Sequence, residues 1–233
     1  MTEQVKTARH FALIPAAGVG ARMEAGSPKQ YLTIAGKPML RHALDAFLAS
    51  PLIAHTYVVV SAADGLIDGV IPSHGVTVLR CGGATRMETI LNGLQALHGI
   101  VDVHDQVLVH DAARPGLTPA LVAKLIAEVG DHPAGGLLAL PVVDTVKRAG
   151  QGNLSAATVP RDGLWLAQTP QMFSYALLHR ALCEAPDPQA ITDDASAVEA
   201  LGLAPKLVEG HPRNLKVTLP RDIQTAEMYL ANP

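Results

Sequence analysis

The sequence predicts an α/β protein with a doubly wound, mainly parallel sheet from which a β-arm protrudes. Three observations point there. Short apolar runs alternate with segments whose apolar residues recur at helical spacing, the pattern of successive β–α units. Several of the apolar runs lack a strict period of two, as expected of strands buried on both faces. From about residue 141 to 163 the alternation breaks into two extended stretches joined by a turn, which reads as a hairpin arm.

Taken in order, the expected strands are Phe11–Pro15, Tyr57–Ser61, Val76–Arg80, Gln106–His110 and Gly136–Leu140. Between them, Met39, Leu40, Ala43, Leu44, Phe47 and Leu48 fall at i, i+3/i+4 spacing, as do Met87, Ile90, Leu91, Leu94 and Leu97. Leu121–Val129 forms a third helix, entered through the cap residue Thr118 and Pro119 in the first turn. In the arm, Asp144–Arg148 and Ala156–Val159 are extended, with Gly150-Gln151-Gly152-Asn153 as the turn. A lone two-stranded ribbon is marginal in water, so the arm is expected to pack on another surface, such as that of a second subunit. Leu164–Phe173 follows, then helices near Ser174–Glu184 and from Thr192-Asp193-Asp194 onward. Short strands at Pro205–Val208 and Leu215–Val217 precede a last helix from Pro220 to about Leu230. One domain spanning residues 1–233, with the arm as an excursion, accommodates this pattern.

Composition limits the function. Apolar residues make up 48% and charged residues 17%, the balance of a folded, soluble chain. A formal charge of −3 provides no global field for nucleic acid or an anionic membrane, and aromatics at 3% leave little for base stacking. Cys81 and Cys183 form no C-x-x-C pair, which argues against a disulfide framework or a structural zinc site. The first ten residues lack the apolar core of a signal peptide, and no apolar run is long enough to span a bilayer, so the expected location is the cytoplasm.

In a doubly wound sheet, ligands bind beyond the carboxyl ends of the strands. Four notable segments fall there. Pro15–Lys29, P-A-A-G-V-G-A-R-M-E-A-G-S-P-K, follows the first strand and Gly82-Gly83-Ala84-Thr85-Arg86 the third. His110-Asp111-Ala112-Ala113-Arg114-Pro115 follows the fourth, and Pro141 to Arg148 the fifth. The first of these, running on from Pro15 through Ala16, Ala17, Gly18 and Gly20, is rich in small residues, so the N–H groups that follow Pro15 could cradle phosphates, with Arg22 and Lys29 acting on them. On its own the loop is equally compatible with an ordinary strand-to-helix turn carrying two solvated cations. It is neither a dinucleotide fingerprint, since position 23 is Met, nor a P-loop, since Gly36-Lys37 is followed by Pro38. The coincidence of four such segments favours a nucleotide site.

Nucleotidyl transfer to an acceptor phosphate requires preorganised cations and usually a divalent metal on the triphosphate, but no side-chain nucleophile. Arg22, Lys29, Arg114, Arg161 and Lys216 are suitable cations at this edge. Lys216, between Leu215 and Val217, also fits a plain surface lysine, and Arg114 a structural ion pair within its loop. Asp111 could touch a ribose hydroxyl or a metal, or simply cap the loop. Hydrolase and zinc-protease signatures such as G-x-S-x-G and H-E-x-x-H are absent. His110 is the one histidine next to a candidate site, and a strand-end histidine is usually structural.

The ordered motifs resemble the 2-C-methyl-D-erythritol 4-phosphate cytidylyltransferase family. Those motifs are P-A-A-G-V-G-A-R-M, S-P-K-Q-Y-L, G-G-A-T-R, V-H-D-A-A-R-P, D-T-V-K, G-L-W, Q-T-P-Q-M-F, I-T-D-D-A-S and N-L-K-V-T, spread over nearly the whole chain. The resemblance implies a Rossmann-like nucleotidyltransferase fold and transfer of CMP from CTP to methylerythritol phosphate. It also implies Mg²⁺ carried mainly on the CTP phosphates and a homodimer formed through the arm. By the same resemblance, Arg22 and Lys29 stabilise the α-phosphate, while Ala16, Ala17, Gly83 and Thr89 face cytosine. Asp111 and Ala112 lie near ribose and acceptor, and Arg161 and Lys216 position the acceptor phosphate or triphosphate. Thr145, Arg161, Thr169 and Thr192 complete the acceptor site, with Thr145 and Arg161 reaching in from the other subunit; Arg114 is a further candidate for binding the acceptor. Departures from the family pattern are Ala84, where many relatives carry Asp, Thr89 in place of Ser, and Pro160, where an Asp is common before Arg161. Ala84 removes a carboxylate that could reach ribose. No second enzyme segment follows, so the fused bifunctional form is not expected. A polyol phosphate other than methylerythritol phosphate, such as ribitol 5-phosphate, is the alternative acceptor. A nucleotide-binding regulatory module is the non-catalytic alternative.

Overall fold

The computed structural model describes residues 8–18 and 28–231. The chain begins with β1 (His10–Pro15), a small antiparallel hairpin of β2 (Thr33–Ile34) and β3 (Lys37–Pro38), and α1 (Met39–Leu48). Next come β4 (Ile53–Val59), β5 (Val76–Leu79), α2 (Arg86–Ala96), β6 (Gln106–Val109), α3 (Pro119–Val129) and β7 (Gly136–Pro141). The arm is β8 (Val146–Ala149) paired antiparallel with β9 (Ser155–Val159). The remainder is β10 (Trp165–Ser174), α4 (Tyr175–Cys183), α5 (Asp194–Ala200), β11 (Lys206–Glu209) and α6 (Asp222–Ala231).

Seven strands form the central sheet in the order β11-β7-β10-β6-β1-β4-β5. Every neighbouring pair is parallel except those of β10, which runs antiparallel between β6 and β7. The expected mixed α/β class with a mainly parallel sheet is therefore what the chain adopts. The sheet order reverses at β1: the chain adds β4 and β5 on one side, then crosses to place β6 on the other. A crevice at the carboxyl end of β1 follows from that reversal.

Alternation along β1 explains both layers. Ala12 and Ile14 face a cluster with Leu40, Leu44 and Phe47 of α1 and Val122 and Leu125 of α3. Phe11 and Leu13 face the opposite cluster, with Ile90 and Leu94 of α2, Leu178 of α4 and Val198 of α5. Because both faces are covered, both alternating sets must be apolar, and the run shows no period of two.

Local caps set the helix starts. Thr118 accepts from Leu121 N ahead of Pro119, as the sequence indicates. Asp193 caps α5 reciprocally with Ser196, and Ser174 caps α4. Two expectations change. β4 begins at Ile53, four residues before the apolar run, because its ladder with β1 runs back through Thr56 and His55 and that with β5 through Thr56. The segment Leu215–Val217 joins no sheet. It is extended chain tied by Val217 N–H to the Ala113 carbonyl at 2.9 Å, and Val217 packs with Ile34, Met39 and Ala226 of the α6 layer. Its hydrophobic demand is met by that helix, so alternation misled the assignment to a strand.

Candidate active site

At the carboxyl ends of the strands lie three adjoining cavities. The first, about 390 Å³, is lined by Pro15, Ala17, Gly18, Gly83, Ala84, Thr85, Arg86 and Thr89. The second, about 280 Å³, takes Pro15, Ala16, Gly18, Lys29, Gln30, Arg86, Asp111, Ala112, Ala113 and Lys216. The third, about 250 Å³, is walled by Arg86, Asp111, Arg114, Ala167, Gln168, Thr169, Gln171, Thr192, Asp193 and Lys216. Shared lining makes them one cleft, and Arg86 borders all three.

The first compartment is shaped by small residues under steric demand. A Cβ on Gly82 would overlap the Ala17 Cβ, and one on Gly83 would overlap the Glu88 Cβ, so both turns close only with glycine. Beneath them, α2 opens with a capping box: Glu88 N–H donates to Thr85 Oγ1 at 3.1 Å, and the Glu88 carboxylate accepts from Ala84 N and Thr85 N at 2.8 and 3.1 Å. The Thr89 hydroxyl accepts from Gly83 N at 3.1 Å and donates to the Thr85 carbonyl at 2.8 Å. In this arrangement Thr89 braces the glycine turn. Ala16 is likewise braced, its N–H donated to Val59 O and its carbonyl accepting from Gln30 Nε2 at 2.7 Å.

Charge concentrates where the second and third compartments meet. Asp111 Oδ1 accepts from Arg86 Nε at 2.9 Å, Asp111 Oδ2 lies 2.8 Å from Lys216 Nζ, and Arg114 Nε lies 3.5 Å from the same oxygen. Burial alone would raise the Asp111 carboxyl, but Arg86, Lys216 and Arg114 outweigh it and hold it far below the usual carboxylate range. Arg86 also forks onto the fully buried Asp194, Nη1 to Oδ1 at 3.1 Å and Nη2 to Oδ2 at 2.9 Å. Burial pushes the Asp194 carboxyl up while Arg86 opposes that shift. Lys29 donates to the Val217 carbonyl at 3.0 Å, which brings it beside Lys216 across the second compartment.

Neutral polar groups hold these charges in place. His110 is wholly buried, and burial pushes its imidazolium down to about 4, so the ring is neutral at pH 7. The Thr169 hydroxyl accepts from Asp111 N at 3.1 Å and bonds His110 Nδ1 at 2.9 Å, while His110 Nε2 bonds Arg114 O at 3.2 Å. Arg114 donates to the carbonyls of Asn214 and Ala167 at 2.8 and 3.3 Å, and Asn214 donates to Thr169 O at 2.7 Å. A Cβ on Gly116 would overlap Arg213 O, so glycine is required for the Lys216 segment to approach the Asp111 loop.

Comparison with known proteins identifies the family. The chain matches the sequence pattern described as IspD: 2-C-methyl-D-erythritol 4-phosphate cytidylyltransferase over residues 10–232. The chain belongs to that family. Relatives carrying the same name include one from Azoarcus sp. (strain BH72), 51% identical over 96% of this chain and 95% of its own. Another, from Ralstonia nicotianae, is 52% identical over 96% of this chain and 92% of its own. Among solved structures, a 4-diphosphocytidyl-2C-methyl-D-erythritol synthase is 45% identical with a TM-score of 0.85, covering 97% of this chain and 99% of that one. A 2-C-methyl-D-erythritol 4-phosphate cytidylyltransferase from Thermus thermophilus is 34% identical with a TM-score of 0.78, covering 97% and 100%.

The residues expected from the family resemblance distribute unevenly. Pro15, Ala17, Gly18, Gly83, Ala84 and Thr89 meet in the first compartment, and Ala16, Lys29, Asp111, Ala112 and Lys216 in the second. Arg114, Thr169 and Thr192 join Asp111 and Lys216 in the third. Arg22 and Gly20 lie outside the described residues. Thr145 and Arg161 sit on the arm and line none of the three compartments of their own chain; Arg161 Nη1 donates instead to the Val143 carbonyl. Sequence reasoning missed Arg86, Asp194, Gln168 and Gln171. Arg86 stood in a motif already noted, and the Thr192-Asp193-Asp194 run was read only as a helix start, so a signal existed for both. The two glutamines likewise stood within a noted motif, Q-T-P-Q-M-F.

Proposed function

We propose that the chain transfers CMP from CTP to 2-C-methyl-D-erythritol 4-phosphate, giving 4-diphosphocytidyl-2-C-methyl-D-erythritol and pyrophosphate in isoprenoid precursor synthesis. The observation that carries this reading is the continuous cleft. A compartment of small residues leads through a cationic junction to a second polar compartment, the sequence of spaces that a nucleotide, its phosphates and an acceptor phosphate require. Family membership supplies the identity of both substrates.

In the proposed reaction an acceptor phosphate oxygen attacks the α-phosphorus of CTP, the bond from that phosphorus to the bridging oxygen breaks, and pyrophosphate leaves. Negative charge gathers on the α-phosphate as this happens. Lys29 and Arg22 answer it, and Lys216 and Arg114 hold the incoming phosphate. Asp111 keeps Lys216 in place and stays ionised. Mg²⁺ suits the triphosphate, where it would neutralise phosphate charge. Of the carboxylates that line the cleft, Asp111 is already engaged by cations and Asp193 by Gln171 and Ser196, and no cluster of three acidic, His or Cys side chains among the described residues would cage an ion, so phosphates would supply most of its ligands.

Dimerisation through the arm completes the proposal, with Thr145 and Arg161 of one copy serving the cleft of another. Exposed Val143, Leu154, Trp165 and Leu166 at and beside the arm support a covered surface there. The chain would act in the cytoplasm; no helix among the described residues is long and apolar enough to cross a membrane. Pyrophosphate release from CTP with a panel of sugar-alcohol phosphates tests the reaction. Preference for methylerythritol phosphate is expected. Preference for ribitol 5-phosphate overturns the acceptor, and CTP binding without turnover on any acceptor overturns the enzyme.

A further inference from the structure

We propose that Arg86 is a positioning residue that makes the nucleotide and acceptor compartments one mechanical unit, with Asp194 as its anchor. Arg86 opens α2 directly after the cap Thr85, so its backbone belongs to the glycine turn of the first compartment. Its guanidinium reaches 108 residues along the chain to Asp194, the first residue of α5, and 25 residues to Asp111 at the end of β6. Three of its five N–H donors are engaged by these two carboxylates, leaving two for a ligand.

The charge arrangement makes this more than a structural ion pair. Arg86 and Lys216 take opposite oxygens of Asp111, at 2.9 and 2.8 Å, so the carboxylate acts as a spacer between two cations that border the second compartment. Without Arg86, Asp111 would be left to Lys216 and Arg114, and Asp194, wholly buried, would lose the cation that forks onto it. A lysine at position 86 would restore the charge but not the span, because a point charge cannot grip Asp194 with two donors and Asp111 with a third. Asp194 lines neither of the first two compartments, yet through Arg86 it bears on both.

This inference rests on the proposed cytidylyl transfer for its kinetic arm, so the experiment reads binding separately. CTP affinity by calorimetry, together with kcat and both KM values, is measured for wild type, Arg86→Gln, Arg86→Lys, Asp194→Asn and the Arg86→Gln/Asp194→Asn double variant. Thermal melting identifies the folded fraction. The expected result is a CTP Kd raised about tenfold in both Arg86 variants and several-fold in Asp194→Asn, with the double variant no worse than Arg86→Gln alone. In the kinetic arm, kcat falls and the acceptor KM rises together. Independent, multiplying effects of the two sites overturn the proposal, as does an Arg86→Lys enzyme with wild-type constants, or an Asp194→Asn protein that melts lower but binds CTP unchanged. A wild type that binds CTP without turning over any acceptor defeats the proposed reaction alone, and the binding cycle still decides the role of Arg86.

Discussion

Lys29 stands in the short 3-10 turn Lys29–Tyr31 with its ammonium 3.0 Å from the Val217 carbonyl, close to where charge would accumulate on a transferring phosphate. A cation aimed at developing charge acts on rate more than on affinity. Lys29→Ala is therefore expected to lower kcat by about 100-fold while the CTP Kd changes far less, as read by steady-state kinetics beside calorimetry. Equal losses in both would contradict that role. His110 offers a different reading at the same scale. Its ordinary value is 6.5 and burial lowers it to about 4, so between those values the unfolded chain binds a proton that the folded chain refuses. Stability thus rises with pH across that window and is lost as pH falls through it, by up to about 3 kcal/mol. His10 is shifted in the same direction by burial and adds to the slope. Melting curves from pH 7 to 4 are expected to flatten in His110→Gln relative to wild type; an unchanged slope would remove the histidine from the account.

Among the elements, α2 bears most directly on the site because its first turn is also the wall of the first compartment. The reciprocal bonds of Thr85 and Glu88 satisfy N–H groups that the helix itself leaves without partners. Thr85→Ala is expected to cost about 1 kcal/mol and a few degrees of melting temperature. The CTP KM is expected to rise with it, since Ala84 N donates to the carboxylate of Glu88, the partner of Thr85 in that cap. A lower melting point with unaltered CTP KM would separate the cap from the site. β10 contributes in another way: as the antiparallel strand between β6 and β7, it carries Gln168, Thr169 and Gln171 into the third compartment.

For the whole molecule, the arm is the feature that a single copy leaves unexplained. Both of its strands are largely solvent-exposed, and Val143 at 73% and Leu154 at 74% exposure present apolar surface with nothing against it. An isolated two-stranded ribbon is seldom stable alone. Deleting residues 144–161 is expected to yield monomers in sedimentation and to abolish pyrophosphate release. An active monomer would refute sharing of the arm between cleft-bearing copies.

Some of this was written locally in the chain. Buried parallel strands, helices with an apolar stripe, the Thr118 and Asp193 caps and the small residues of the first compartment follow from patterns within about ten residues, which is the range over which periodicity and capping act. Motif order was enough to name the family. The membership of the charged junction was not legible. Arg86 meets Asp194, and Arg114 meets the carbonyl of Asn214, because the sheet order β7-β10-β6-β1 places the ends of distant segments together. Thr89 and Ala16, expected to address a base, line the cleft and also brace their own turns, a second role that packing decides because it sets which neighbour accepts each hydrogen bond. Leu215–Val217 alternates like a strand, yet α6 covers its apolar side and no sheet edge is there to pair with it. Local propensity thus determined the elements and the chemical kinds of residue at the strand ends. Only the tertiary structure decided which of those charges would stand about 3 Å apart, because Coulomb and hydrogen-bond energies depend on separation in space and not along the chain.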